Sequence, residues 1–184
     1  MLLHWYGEPF LQCLIPLFKW QIQLMDDQYQ LLSLSIQSLG TDRVFSMQVN
    51  LAKTLLVGGQ FILPDAKGVA TVSSTVAHVW QMVVIFLSLL VAWPVVRYVD
   101  YGRRTLIGIP LLILILMFDM PFALLANVWG LILSQLSLER FSALILWNEI
   151  LESGGRTVLG LVGGVLTVWL AEHVAKLKGI ARQL

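Results

Sequence analysis

The sequence predicts an α-helical membrane protein. It has about four transmembrane helices, a small antiparallel β-meander between the first and second, and an interfacial amphipathic helix before the last. Three observations carry this reading. Of 184 residues, 58% are hydrophobic and 12% are charged, about half the charge that a soluble domain spends on its surface. Several apolar runs reach the roughly 20 helical residues that cross about 30 Å of hydrocarbon. Between them, one segment alternates apolar and polar residues with period two, the pattern of half-buried strands. The same composition excludes disordered, collagen-like and disulfide-rich classes. A net charge of +1 leaves no electrostatic footprint for nucleic acid, and the single cysteine, Cys13, permits neither an internal disulfide nor a cysteine-based metal site.

The first transmembrane helix is placed at residues 1–25. His4, Glu8, Gln12, Lys19 and Gln23 interrupt its apolar run and project within a sector of about 100°. Such a seam either lines a pathway or a partner contact, or faces the protein's own bundle, where inward polar groups commonly pair with one another. Glu8 stands out because Gly7 and Pro9 flank it and could open the local backbone. The N-terminus lacks the basic start and clean apolar core of a cleavable signal.

The meander is placed at residues 29–73, with three to five strands. Leu32, Leu34 and Ile36 alternate with serines, and Phe45, Met47 and Val49 alternate with Ser46, Gln48 and Asn50, so these six apolar residues are expected on one buried face. Gly40-Thr41-Asp42, Gly58-Gly59 and Pro64 to Gly68 supply turn chemistry between the strands.

The second transmembrane helix is placed at residues 75–98, which carry no charge before Arg97. The third, at 104–134, contains one ionisable group beyond its first turn, Asp119. An acid within a span raises the suspicion of a proton relay or ion site. Asp119-Met120-Pro121 also reads as a helix start, with aspartate as N-cap and proline in the first turn. Because about thirty residues make some 44 Å of helix, longer than one straight crossing, the pattern favours a helix broken at Asp119. The interfacial helix is placed at 137–152, where Leu138, Phe141, Leu144, Ile145 and Trp147 mix with Glu139, Arg140, Glu149 and Glu152, and Gly154-Gly155 ends it. The fourth transmembrane helix is placed at 156–176, followed by a basic tail to 184. In it Gly160 and Gly164, with Gly163 beside them, let two helix backbones approach closely. The partner helix could belong to this chain or to another.

Arg97, Arg103 and Arg104 in one loop, and Lys176, Lys178 and Arg182 in the tail, place both segments in the cytoplasm by the positive-inside rule. Four spans in a bacterial inner membrane, both termini cytoplasmic and the meander outside, satisfy that distribution. Trp20, Trp80, Trp93 and Trp147 fall near the proposed span ends, as amphipathic rings do.

No catalytic constellation emerges. His78 and His173 sit on different spans and no His, Asp and Glu cluster has ligand spacing. Cys13 lacks an activating neighbour. Expected cofactors, metals and catalytic residues are therefore none. The candidate site residues are the intramembrane polar groups Glu8, Gln12 and Asp119 and the packing glycines Gly160, Gly163 and Gly164.

One apolar helix, a short outward meander containing Val57-Gly58-Gly59 and Leu63-Pro64-Asp65, and then three spans form a layout that resembles the small membrane proteins associated with exosortase H in Gram-negative bacteria. The resemblance implies an accessory role in envelope protein sorting. It carries over no catalytic residue, because Cys13 lacks the Arg and His arrangement of the exosortases themselves. The leading expectation is a non-catalytic accessory subunit whose partners are membrane lipids and other membrane subunits, with no nucleic acid. The alternatives are a small proton-coupled transporter using Glu8 and Asp119, or a redox subunit holding a cofactor through His78 or His173.

Overall fold

The fold is that of a computed structural model, which describes residues 2–25, 27–57, 60–62, 68–95, 98–135 and 142–180. The elements run α1 (Leu2–Met25), β1 (Tyr29–Leu39), β2 (Asp42–Leu51), β3 (Leu55–Val57), β4 (Gln60–Ile62), β5 (Ala70–Thr75), α2 (Val76–Ala92), α3 (Tyr98–Gln135), α4 (Ala143–Ile150) and α5 (Arg156–Ile180). They form two compact units, one of residues 1–76 and 120–149, the other of residues 77–119 and 150–184.

In the first unit, the alternating segment folds as a three-stranded antiparallel sheet in the order β1-β2-β5, with β3 and β4 as a separate hairpin. The turn at Gly40 takes φ 64°, a conformation that glycine adopts without a Cβ penalty. Leu34 faces Met47, and Ile36 faces Phe45. Val72 of β5 faces Met47 from the other side. Leu34, Phe45, Met47, Val49 and Val72 are buried. Leu32 departs from expectation at 48% exposed. The pairing steps from Leu31 opposite Val49 to Ser33 opposite Gln48, so Leu32 is the extra residue of a bulge. A bulge reverses the in-out parity of everything before it, which puts Tyr29 and Leu31 on the face that the simple alternation gives to Leu32.

Helix α1 completes this core. Leu11, Leu14, Phe18 and Ile22 form its buried stripe, at the spacing of one helix face, and Phe18 meets Phe45 edge-on with ring centroids 6.3 Å apart. The second half of α3 also belongs here: Met120 and Ala123 to Ala126 are buried, Trp129 packs edge-on against Tyr29 at 6.3 Å, and Asn127 Nδ2 donates to the Ser73 carbonyl at 3.2 Å. Lys53 donates to the Asp27 carboxylate, and the Ala52 amide donates to the Gln28 carbonyl, closing the end of the β1–β2 pair. The Lys53 hydrogen bond and charge hold the Asp27 carboxyl below its ordinary range.

The four-span architecture is corrected by these elements. Among the described residues, two helical runs are long and apolar enough to cross a membrane, Val99–Ser134 and Ala143–Lys176. The run Val76–Ala92 has 17 residues, about 26 Å of helix against about 30 Å of hydrocarbon. Helix α1 is not among those runs; its stripe of Leu11, Leu14, Phe18 and Ile22 is buried, with Phe18 against Phe45 of the sheet. Nor is α3 broken: it runs for 38 residues through Asp119 and Pro121, since the Asp119 carboxylate is engaged elsewhere than at a helix start. The amphipathic helix begins at Ala143, residues 136–141 lying outside the described residues, and it contains no buried side chain. A wide turn at Leu151–Gly155 joins it to α5, with a kink at Gly154, whose φ is 110°. Gly155 is small for another reason: a Cβ there would lie 2.5 Å from the Ile150 carbonyl oxygen. Gly58, Gly59 and residues 63–67 lie outside the described residues.

The bulge makes a sharp distinction between two neighbouring leucine and phenylalanine side chains of the meander. Phe45→Ala should cost about 3–5 kcal/mol as a cavity in a packed core, whereas Leu32→Ala should stay within about 0.5 kcal/mol. Equilibrium unfolding of both variants in a mild detergent checks this, and equal losses would mean that Leu32 is a core residue after all.

Candidate functional site: a buried ion pair within an apolar helix cluster

The second unit inverts the usual distribution of side chains. Asp119 is fully buried, Arg156 is 3% exposed, and Arg104 and Thr167 are buried too. Large apolar residues instead face outward: Val84, Leu87 and Val91 on α2, Leu106, Ile109, Leu114 and Phe118 on α3, and Val158, Leu161, Val162, Val165 and Trp169 on α5. In water a surface of this kind is costly and ionisable groups prefer to stay outside. In hydrocarbon both preferences reverse.

At the centre, Arg156 Nε donates to Asp119 Oδ1 at 2.9 Å. The two residues lie 37 positions apart in sequence, on the first turn of α5 and midway along α3. The contact is single-pointed: Asp119 Oδ2 and Arg156 Nη1 are buried with no hydrogen-bond partner among the described residues. Beside it, Gln81 Nε2 donates to Thr157 Oγ1 at 3.2 Å, a tie between α2 and α5. The pair neutralises two groups that would each be prohibitive alone in an apolar interior.

The glycines of α5 face helices of the same chain. A Cβ on Gly160 would lie 3.0 Å from the Met82 carbonyl oxygen, and one on Gly164 would meet the Leu89 side chain at 2.5 Å. A Cβ on Gly163 would strike Ile115 and come within 3.2 Å of the Phe86 ring. Gly160 and Gly164 thus seat α5 on α2, and Gly163 seats it on α3. Thr167 donates to the Gly163 carbonyl at 2.8 Å, which satisfies the hydroxyl within its own helix.

The remaining candidates go elsewhere. Gln12 is exposed on α1, as is Gln23, with Lys19 partly so; these three flank the buried stripe of α1 and are not part of it. The side chains of His4 and Glu8 lie outside the described residues. Cys13 is exposed. His173 stacks on Trp169 with centroids 5.5 Å apart. Among the described residues no three His, Cys, Asp or Glu side chains converge as metal ligands would. Sequence reasoning singled out Asp119 but missed Arg156, which reads as the basic start of a helix. The available signal was that a buried acid requires a cation, and Arg156 is the arginine that opens the last apolar run.

Comparison of the chain with protein-family models, with curated proteins and with solved structures finds no match in any of the three.

Removing one member of the pair strands the other. Asp119→Leu should destabilise by about 3–5 kcal/mol, while Asp119→Leu combined with Arg156→Met should recover most of that loss. Thermal unfolding in detergent micelles reads both, and a single variant as stable as the parent would show that the pair holds nothing together. Gly160→Leu and Gly164→Leu should each lose about 1–3 kcal/mol by overpacking. Val162, 57% exposed, should accept leucine without loss, which the same melts will report.

Proposed function

We propose that this chain is a non-catalytic accessory subunit of a membrane complex in the bacterial envelope, anchored in the inner membrane through α3 and α5. Charges turned inward and apolar side chains turned outward in the second unit support the membrane anchor. Arg103, Arg104 and Lys176 mark the end of that unit that faces the cytoplasm under the positive-inside rule. The sheet belongs in water or against protein, because open strand edges are not tolerated in hydrocarbon.

The accessory role rests on one observation, the one-sided pairing of β1. Among the described residues this strand of 11 residues pairs with β2 alone, so its outer edge presents backbone donors and acceptors to whatever lies beside it. An extended segment of a partner adds to such an edge through main-chain hydrogen bonds. The segments Val57-Gly58-Gly59 and Leu63-Pro64-Asp65, on which the chain resembles exosortase H-associated proteins, make envelope protein sorting the first pathway to test.

Purification from native membranes in mild detergent should recover the chain with a stoichiometric partner. Gln30→Lys with Leu32→Lys, both exposed on β1, should leave the fold intact and release that partner. A parent chain that emerges alone and monodisperse sinks the accessory reading.

A further inference from the structure

Away from the buried pair, the second unit holds a cleft of about 280 Å3 between the start of α3 and the end of α5, closed on one side by Pro94. Its charged lining is Asp100, Arg103, Arg104, Glu172 and Lys176. Arg104 is its fixed point. The guanidinium is almost fully buried, with Nη1 donating to the Trp93 carbonyl at 2.9 Å and Nη2 to the Pro94 carbonyl at 3.1 Å. Those acceptors are neutral and orient the guanidinium, and the exposed Glu172 forms a loose ion pair with it at 3.8 Å. Arg103 leans on Asp100 at 3.5 Å, both side chains remaining partly exposed, and Lys176 is exposed. Three cations and two carboxylates leave the lining one positive charge in excess.

Arg104 also lines a second, narrower recess of about 100 Å3 between α2 and α3. There the other walls are almost entirely apolar, with Leu87, Leu90, Val91, Ile109 and Leu112 among them. Gly108 lets the helices close at this level, a Cβ there lying 3.1 Å from Leu90 and 3.2 Å from Thr167. A cationic cleft and an apolar recess that meet at one buried arginine match an amphipathic ligand with a single negative charge at its head.

We propose that this cleft binds the phosphodiester headgroup of a membrane phospholipid, with an acyl chain lying in the apolar recess beside Arg104. This rests on the membrane reading of the second unit. A phosphodiester carries the one negative charge that balances the lining. Arg103 and Lys176 have the reach to meet its oxygens at the membrane surface, where basic side chains attract anionic lipid. Arg104 supplies a preformed guanidinium at the depth where headgroup gives way to chain. Recesses of this kind, basic at the cytoplasmic rim and apolar below, hold lipid headgroups between transmembrane helices.

The test uses the full chain in a neutral maltoside detergent, titrated with phosphatidylglycerol, with glycerophosphoglycerol (the same headgroup without chains) and with inorganic phosphate. Phosphatidylglycerol should raise the unfolding temperature in a saturable way. Arg103→Gln and Lys176→Gln should each weaken it about fivefold, the gain expected from one basic group near the surface. The response should fall as salt rises. Glycerophosphoglycerol and phosphate should bind far more weakly, because they leave the recess empty. An equal response to inorganic phosphate would make the cleft an anion site unrelated to lipid and overturn the proposal. So would a phosphatidylglycerol response unchanged when Arg103→Gln and Lys176→Gln are combined. Carbonate extraction of native membranes separates the two levels: a chain that stays in the pellet yet ignores phosphatidylglycerol ends the lipid site alone, and a chain that washes off ends the membrane reading with it.

Discussion

A carboxylate and a guanidinium that cannot reach water set the terms for the second unit. Asp119 and Arg156 are buried to 0% and 3% exposure, and neither could be tolerated there without the other. Their hydrogen bond fixes where the first turn of α5 meets the middle of α3, and the glycine positions further along α5 follow from it. Once Arg156 is held at Asp119, Gly163 comes to Ile115 about one helical turn before Asp119, as antiparallel neighbours require. The pair supplies position, and the glycines supply proximity. Phe86, Leu116 and Met82 are fully buried in the same unit.

Helix α3 works in two environments along one continuous backbone. Up to Phe118 it alternates buried and outward apolar positions, with Leu106, Ile109, Leu114 and Phe118 exposed. From Asp119 to Ala126 nearly every side chain is buried. An isolated look at its hydropathy cannot separate these halves, because a helix facing lipid and a helix surrounded by protein are both apolar all round. What divides them is the neighbourhood: helices of the second unit for the first half, and the sheet with α1 for the second. This is why a run of apolar residues read as one crossing proves to serve two cores.

Much of the sheet was legible, because side-chain alternation is local and the turn at Gly40 is written in the sequence. Leu34, Phe45, Met47 and Val49 are buried, as their period-two spacing indicates. Leu32 was not legible: a bulge is a mismatch between two strands, and neither strand carries it alone. Helix α1 misled for a similar reason. Its stripe of Leu11, Leu14, Phe18 and Ile22 reads equally well against lipid or against a sheet, and only the existence of Phe45 nearby decides. Asp119 was legible as an anomaly, but its partner was not, since nothing local connects positions 119 and 156. The sequence pattern Asp-Met-Pro instead offered a capping role, which loses to the stronger, charge-assisted bond with a guanidinium.

The bulge in β1 also determines how the chain could change length. Removing Leu32 would join Leu31 directly to Ser33, opposite Val49 and Gln48, and the ladder would become regular with every other pair unchanged. Losing any residue between Ser33 and Leu39 would instead slide everything upstream by one place, turning Tyr29 and Leu31 away from their partners and disturbing the approach of α1 to the sheet. Within this strand, then, one position is free for deletion, and the rest of the reading frame of the sheet is locked by the side chains on either side of it.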